Sequence, residues 1–459
     1  MAGIGFSLRA FAGRPGYAGT LRLYGAAALV SSGSWLLSIT GLLLIGLIGR
    51  HFAADAHAVE RFQVCVTWLL ASSLVLSGPL QLQLTRFVSD QMYLKRPERI
   101  VPNLFGALVA MSFASAFVAA LAAPWFRSEA IAFRVLLGLC FLTLSNVWIV
   151  STVLTGLRRH WPVLWCFGIG YGVMLGCAPY AARFGEVGLL GAFVSGQALL
   201  LLVGLRAITN ELGCSLPFEW GCLHPSALRG DLMLVGLLYN LGIWADKLVF
   251  WFNPATSRPV VGFFRASDVY DLPVFLAYLT IVPGMAVFLV RIETDFAERN
   301  AAFYAAIRGG APLARITQLL DAMVEAVQRA LADIGRTQLA SLLVCSCIGP
   351  ALLAAFGISS LHLPLFYVDV LGVLLQVLLL ASISIFFYLD RWRLVARLAL
   401  VFLIVNAGAT WLSYRLGPLY YGWGFVCAAA ITLALSLGAL NRTLRFLVRD
   451  TFLLQQVST

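Results

Sequence analysis

Twelve apolar runs, each long enough to cross a hydrocarbon core of about 30 Å as roughly 20 helical residues, constrain what this 459-residue chain can fold into. They lie near residues 23–49, 62–85, 104–124, 131–154, 161–180 and 187–205, and again near 232–252, 272–290, 337–357, 364–388, 394–414 and 420–440. Hydrophobic residues make up 61% of the chain and charged residues 12%, against roughly 45–50% and about 25% in soluble domains. Inside lipid the backbone must satisfy its own hydrogen bonds, so the expected fold is an all-α polytopic membrane protein of about twelve transmembrane helices.

A polar, proline-containing stretch after the sixth run, "RAITNELGCSLPFEWGCLHPSALRG", divides the runs into two sets of six. The expected organisation is an N-terminal lobe over 1–205, a cytosolic linker over 206–231 and a C-terminal lobe over 232–459. Positive charge is disfavoured on the translocated side, and the N-terminus, alternate loops and C-terminus carry most of the 32 basic residues. Both termini are therefore expected in the cytosol. The net charge of +11 expresses this asymmetry, and with no basic cluster it does not point to nucleic acid. The first run is too long for the core of a cleaved signal peptide and is expected to be retained.

Seven of nine cysteines fall in apolar runs, where they behave as small hydrophobic residues. Cys214, Cys222 and His224 share the linker, but a metal site wants a fourth ligand and tighter spacing. Free thiols in a reducing compartment are expected. Nucleotide hydrolysis by a P-loop needs a lysine after a glycine; the only lysines are Lys95 and Lys247, and neither follows one. Common metal–phosphate, zinc-protease and serine-hydrolase motifs are also missing. The expectation is a transporter with no cofactor and no enzymatic chemistry.

The seventh run carries two charges where lipid would penalise them: "YNLGIWADKLVFWF" at 239–252. At 1.5 Å per residue Asp246 lies about 20 Å in from the cytosolic end, where an exposed charge costs several kcal/mol. Helix neighbours point about 100° apart, so Asp246 and Lys247 are expected to find separate partners. Asn240, Trp244, Lys247 and Trp251 form one stripe, and Tyr239, Gly242, Asp246 and Asn253 a second. Rings beside hydrogen-bonding groups suit a carbohydrate path; a lysine held by cation–π contacts or an interhelical ion pair would explain the same residues. Asp369, with Gln376 seven residues on, is a second intramembrane carboxylate, either functional or an interhelical tie. Asn146 and Asn406 read as packing groups, and Arg291, Glu293 and Asp295 as solvated interface residues.

The longest loop, 291–338, reads as two cytosolic helices broken at "RGGAP". Ile316, Leu320, Met323 and Val327 begin an apolar stripe on the second helix that continues to Ile334. The stripe could pack on the bundle or membrane surface, or dock a cytosolic partner.

Five segments carry a family resemblance: "MAGIGFSLR", "SSGSWLLSI", "YNLGIWADKLVFWFNPATS", "YDLPVFLAYLTIVPGMAVFLVRIETDF" and "FFYLDRW". With them the chain resembles the PelG family, the polytopic inner-membrane component of bacterial Pel exopolysaccharide biosynthesis. The resemblance implies a fold like the flippases of the MOP superfamily, two six-helix lobes around a cavity. It also implies export of a partly de-N-acetylated hexosamine polymer, and action with the cytosolic glycosyltransferase PelF and the membrane proteins PelD and PelE. A scaffold that activates the glycosyltransferase, or a flippase of lipid-linked oligosaccharide, is the alternative. The family has proline after the glycine of its first-span motif; here Ser34 takes that place, so no proline kink is expected.

Overall fold

The computed structural model describes residues 17–52, 56–157, 160–213, 218–225 and 227–453. Seven helices come first: α1 (Tyr17–Phe52), α2 (Ala56–Tyr93), α3 (Ile100–Ala122), α4 (Ile131–Gly156), α5 (His160–Ala181), α6 (Gly185–Leu212) and α7 (Gly230–Trp251). A short antiparallel hairpin, β1 (Arg258–Val261) and β2 (Phe264–Ala266), turns at Gly262 with φ +55°. Then follow α8 (Asp271–Tyr278), α9 (Ile281–Val290), α10 (Ala297–Arg308), α11 (Leu313–Ala355), α12 (Leu363–Tyr388), α13 (Trp392–Leu416), α14 (Trp423–Arg445) and α15 (Leu447–Leu453). The side chain of Ser34 lies outside the described residues.

Among the described residues ten helical stretches are long and apolar enough to cross a membrane, or eleven if Arg22–Gly33 and Leu37–Gly46 count as one broken span. Twelve runs were expected; the first counts only as the broken pair, and the other difference lies in Pro162–Leu212, which counts once where two runs were expected. Straight, that stretch would run about 75 Å, more than twice the core thickness. Instead Gly185, at φ +66°, turns the chain, and α5 and α6 pack on each other. A Cβ on Gly196 would lie 2.7 Å from the Gly170 carbonyl oxygen, so the two helices meet backbone to backbone, as small residues permit in membranes.

The chain forms two compact units, Gly33–Asp268 and Met1–Ser32 with Val269–Thr459. This division departs from the one expected at 206–231: α7 and the hairpin belong with α2 to α6. Two features explain it. First, α2 and α7 cross at Gly78 and Gly236, where a Cβ on Gly236 would stand 2.2 Å from the Gly78 carbonyl oxygen. Second, the linker is pinned to the same unit. Gln83 donates through Nε2 to the carbonyls of Cys222 (3.0 Å) and Ala227 (2.9 Å) and accepts from the Arg229 N–H (3.1 Å). Asn103 accepts from the Cys222 N–H at 2.7 Å and donates to the Glu219 carboxylate at 3.1 Å.

This docking buries Cys222, and burial pushes its thiol up to about 11. At pH 8 roughly one such thiol in a thousand is ionised, and only the thiolate reacts. Maleimide is expected to spare Cys222 in the folded protein. Gln83→Leu removes three of the anchoring hydrogen bonds and should expose it, as mass mapping of the labelled cysteines would report. Cys214 lies outside the described residues, and His224 is exposed.

In the other unit, the span expected at 272–290 is present within one helical stretch, Asp271–Arg308, whose α-helical pattern is interrupted between α8 and α9. Pro283 cannot donate to the Leu279 carbonyl, and the turn closes instead through Leu279 N–H to Leu276 O and Thr280 N–H to Ala277 O. After α9 the chain widens into a π-helical segment, Arg291–Phe296. Arg291 there bridges Asp295 (3.0 Å) and Asp333 (2.8 Å), and Glu293 accepts from the Tyr388 hydroxyl at 2.6 Å. These residues are knitted into the unit rather than simply solvated.

The break at "RGGAP" is present, with Gly310 at φ +67° and Pro312 just before α11. The second loop helix, however, is continuous with the ninth span as one helix of 43 residues. Its apolar stripe faces inward: Ile316, Met323 and Val327 are buried and Leu320 is half-buried, with α11 packed on α9, α10, the π segment and α12. The surface proposed for partner docking at Ile316, Leu320, Met323 and Val327 is therefore covered by the chain itself. An apolar stripe this regular is stabilised as readily by its own bundle as by a partner.

Candidate functional site

Within the unit Gly33–Asp268, α7 brings the charged pair and the tryptophans together. The Asp246 and Lys247 residues are only 1% and 8% exposed. Their side chains meet, contrary to expectation: Lys247 Nζ donates to Asp246 Oδ2 at 2.9 Å and Oδ1 at 3.1 Å. It also donates to the Ile243 carbonyl at 3.2 Å. The 100° between neighbours separates Cβ directions but does not limit a four-carbon stem, which folds back along the helix until its ammonium reaches the preceding carboxylate. The same ammonium lies 5.9 Å from the centre of the Trp244 ring, within cation–π range.

Trp251 is fully buried rather than open to a path. Its ring lies 5.9 Å from Trp244 and 4.5 Å from Trp68 on α2. Trp68 in turn stacks on Phe264 of β2 at 5.2 Å and 13°, and donates from Nε1 to the Arg265 carbonyl at 2.8 Å. The half-buried Asn240 donates to the Gly236 carbonyl at 2.9 Å, beside the crossing with Gly78. Of the residues marked from sequence, Asn240, Trp244, Asp246, Lys247 and Trp251 thus share one region. Trp68 and the hairpin were missed, although "RPVVGFFRA", β-branched and aromatic around a glycine, carries a hairpin signal.

Ion pairs hold the hairpin end of this unit. Arg258 joins Asp268 at 2.9 Å and also Glu60, while Arg61 on α2 joins Glu129 at 2.6 Å and also Glu186. They tie the starts of α2 and α6 and the segment before α4 to one another.

Asp369 belongs to the other unit. It is buried on α12, and a Cβ on Gly422, before α14, would lie 2.9 Å from its Oδ1. Gln376 is buried on the same helix, and Ser382 and Ser436 join α12 to α14 at 2.7 Å. Asn146 donates to Ser112 Oγ at 3.0 Å, and Asn406 accepts from Thr410 at 3.1 Å. Among the described residues no three His, Cys, Asp or Glu side chains are grouped to hold a metal ion.

The sequence matches the PelG family, described as "Putative exopolysaccharide Exporter (EPS-E)", over residues 1–452. The chain belongs to the PelG family. No protein of curated function matches it. Among solved structures, an outward-facing multidrug resistance MATE transporter of the MOP superfamily is similar, at 14% identity and a TM-score of 0.66, covering 98% of this chain and 100% of its own. A MATE protein in the straight conformation is similar at 12% identity and a TM-score of 0.65, covering 97% and 100%. A MOP-superfamily transporter from Pyrococcus furiosus is similar at 13% identity and a TM-score of 0.63, covering 97% and 99%. This PelG-family chain therefore has a helical fold similar to that of MOP-superfamily transporters over nearly all of its length.

Proposed function

We propose that the protein exports a Pel-type hexosamine polymer from the cytosol to the periplasm across the bacterial inner membrane, with both termini cytosolic. In this reading it works in a synthase complex with the glycosyltransferase PelF and the membrane proteins PelD and PelE. Family membership supports a polysaccharide cargo. The observation that carries the path is the buried Asp246–Lys247 pair against Trp244: an ionised pair in a membrane helix is costly unless function retains it. Asn240, Trp244, Asp246, Lys247 and Trp251 mark the proposed path on α7; Asp369 is a second charged position in the other unit. The scaffold reading is weakened, because the stripe it needed on α11 is buried in its own unit.

Polymer is measured inside and outside cells expressing Asp246→Asn at wild-type levels. Export through this site predicts at least a tenfold fall in secreted polymer with accumulation inside. Loss of polymer from both places would favour a chain that activates synthesis, and undiminished secretion would remove Asp246 from the path.

A further inference from the structure

The outer faces of α13 and α14, in the other unit, change character at one end. On α13 the exposed residues Arg393, Arg397, Leu400, Ile404, Trp411 and Arg415 recur at helical spacing, and on α14 Ile431, Leu435, Arg442 and Arg445 do the same. From Arg397 to Arg415 the helix runs about 27 Å, close to the thickness of a hydrocarbon core. The arginines thus belong to the headgroup layer and the apolar residues to the lipid tails. The two helices pack on each other, and their antiparallel register is fixed where a Cβ on Gly424 would stand 2.4 Å from the Thr410 backbone. Arg442, eighteen residues beyond Gly424, comes level with Trp392, eighteen residues before Thr410. Arg393 and Arg397 therefore share one end with Arg442, Arg445 and the exposed Arg449 of α15.

The carboxylates at this end are already engaged. Asp450 accepts from Arg391 at 2.9 Å and from Arg449 at 3.2 Å, and Asp390 accepts from the Trp392 indole. Among the described residues Arg393, Arg397, Arg442 and Arg445 have no ion-pair partner. Arg445 and Arg449 lie against the Phe446 ring, at 5.8 and 4.5 Å, which holds them beside one another. We propose that this surface binds a phospholipid carrying two phosphates, one held by Arg393 and Arg397 and the other by Arg442 and Arg445, with acyl chains along Leu400, Ile404 and Leu435. Guanidinium forks match phosphate oxygens in pairs, and basic surfaces between membrane helices suit multiply charged headgroups. The arginines come in two sets, on helices whose axes lie about 8–10 Å apart; two phosphates give each set its own anion. A free phosphate would leave the apolar stripe below the arginines unused, and that continuity commits the surface to a lipid.

Full-length protein in a neutral detergent is titrated with cardiolipin, and bound lipid is counted by native mass spectrometry. The wild-type chain is expected to retain one cardiolipin about tenfold more tightly than phosphatidylglycerol. Arg393→Gln with Arg442→Gln should weaken cardiolipin about tenfold. Arg315→Gln with Arg336→Gln removes the same charge from the exposed face of α11 and should leave binding within about twofold. Arg393→Lys with Arg442→Lys keeps the charge but loses the paired hydrogen bonds, so a loss of about threefold is expected. If the glutamine pair fails to fold, the lysine pair decides: undiminished binding in it would overturn the arginine contacts. Equal weakening by the α11 pair would replace the site with general charge attraction. Equal retention of phosphatidylglycerol would overturn the two-phosphate headgroup, and displacement of cardiolipin by inorganic pyrophosphate would overturn the lipid.

Discussion

Asp246→Ala is expected to destabilise the protein by about 3–5 kcal/mol, the range for breaking a buried ion pair by removing one partner, and to abolish export. The loss of stability comes from Lys247, whose ammonium keeps its burial but loses the carboxylate at 2.9 Å. A second variant separates packing from function. Asp246→Leu with Lys247→Met removes both charges and keeps the volume, a replacement that is often neutral or stabilising. The double variant should recover most of the lost thermal stability in detergent while export remains absent. Export restored together with stability would make the pair a packing device, and the path reading would fall.

What could be read in advance follows from what lipid enforces locally. Membrane runs were legible because each must be apolar over its own length, whatever its neighbours. The fold-back of α5 on α6 was legible too, since "RFGE" interrupts the apolar pattern where a glycine turns the chain. Contacts between helices were not. Nothing in 206–231 says that Gln83 and Asn103, more than a hundred residues earlier, hold that segment, so a polar stretch resembled a boundary between lobes. The stripe on α11 shows the same gap: its period defines an apolar face but not what covers it. At the site, residue types and spacing located the charged pair and two tryptophans. The reach of a lysine stem, and the third tryptophan contributed by α2, depend on three-dimensional neighbours.

The other large effect is expected at the helix crossing that builds this neighbourhood. Gly236→Val would place its Cβ 2.2 Å from the Gly78 carbonyl oxygen. Backbone cannot step aside as a side-chain end can, so α2 and α7 must separate, and a cost of about 3 kcal/mol or more is expected, the upper end for overpacked sites. Separation also moves Trp68, on α2, from Trp251, on α7, whose rings lie 4.5 Å apart. Stability and tryptophan emission should therefore change together. Gly168→Ala is the control: it lies within α5 with nothing inside 4 Å of the added Cβ. There the gain in helix propensity should stabilise by up to about 1 kcal/mol. If Gly236→Val were as well tolerated as Gly168→Ala, the α2–α7 contact would not be what holds α7 in the unit Gly33–Asp268. The tryptophan cluster would then have lost its structural basis, and the carbohydrate path drawn through it would fail for that reason, even with Asp246 and Lys247 intact.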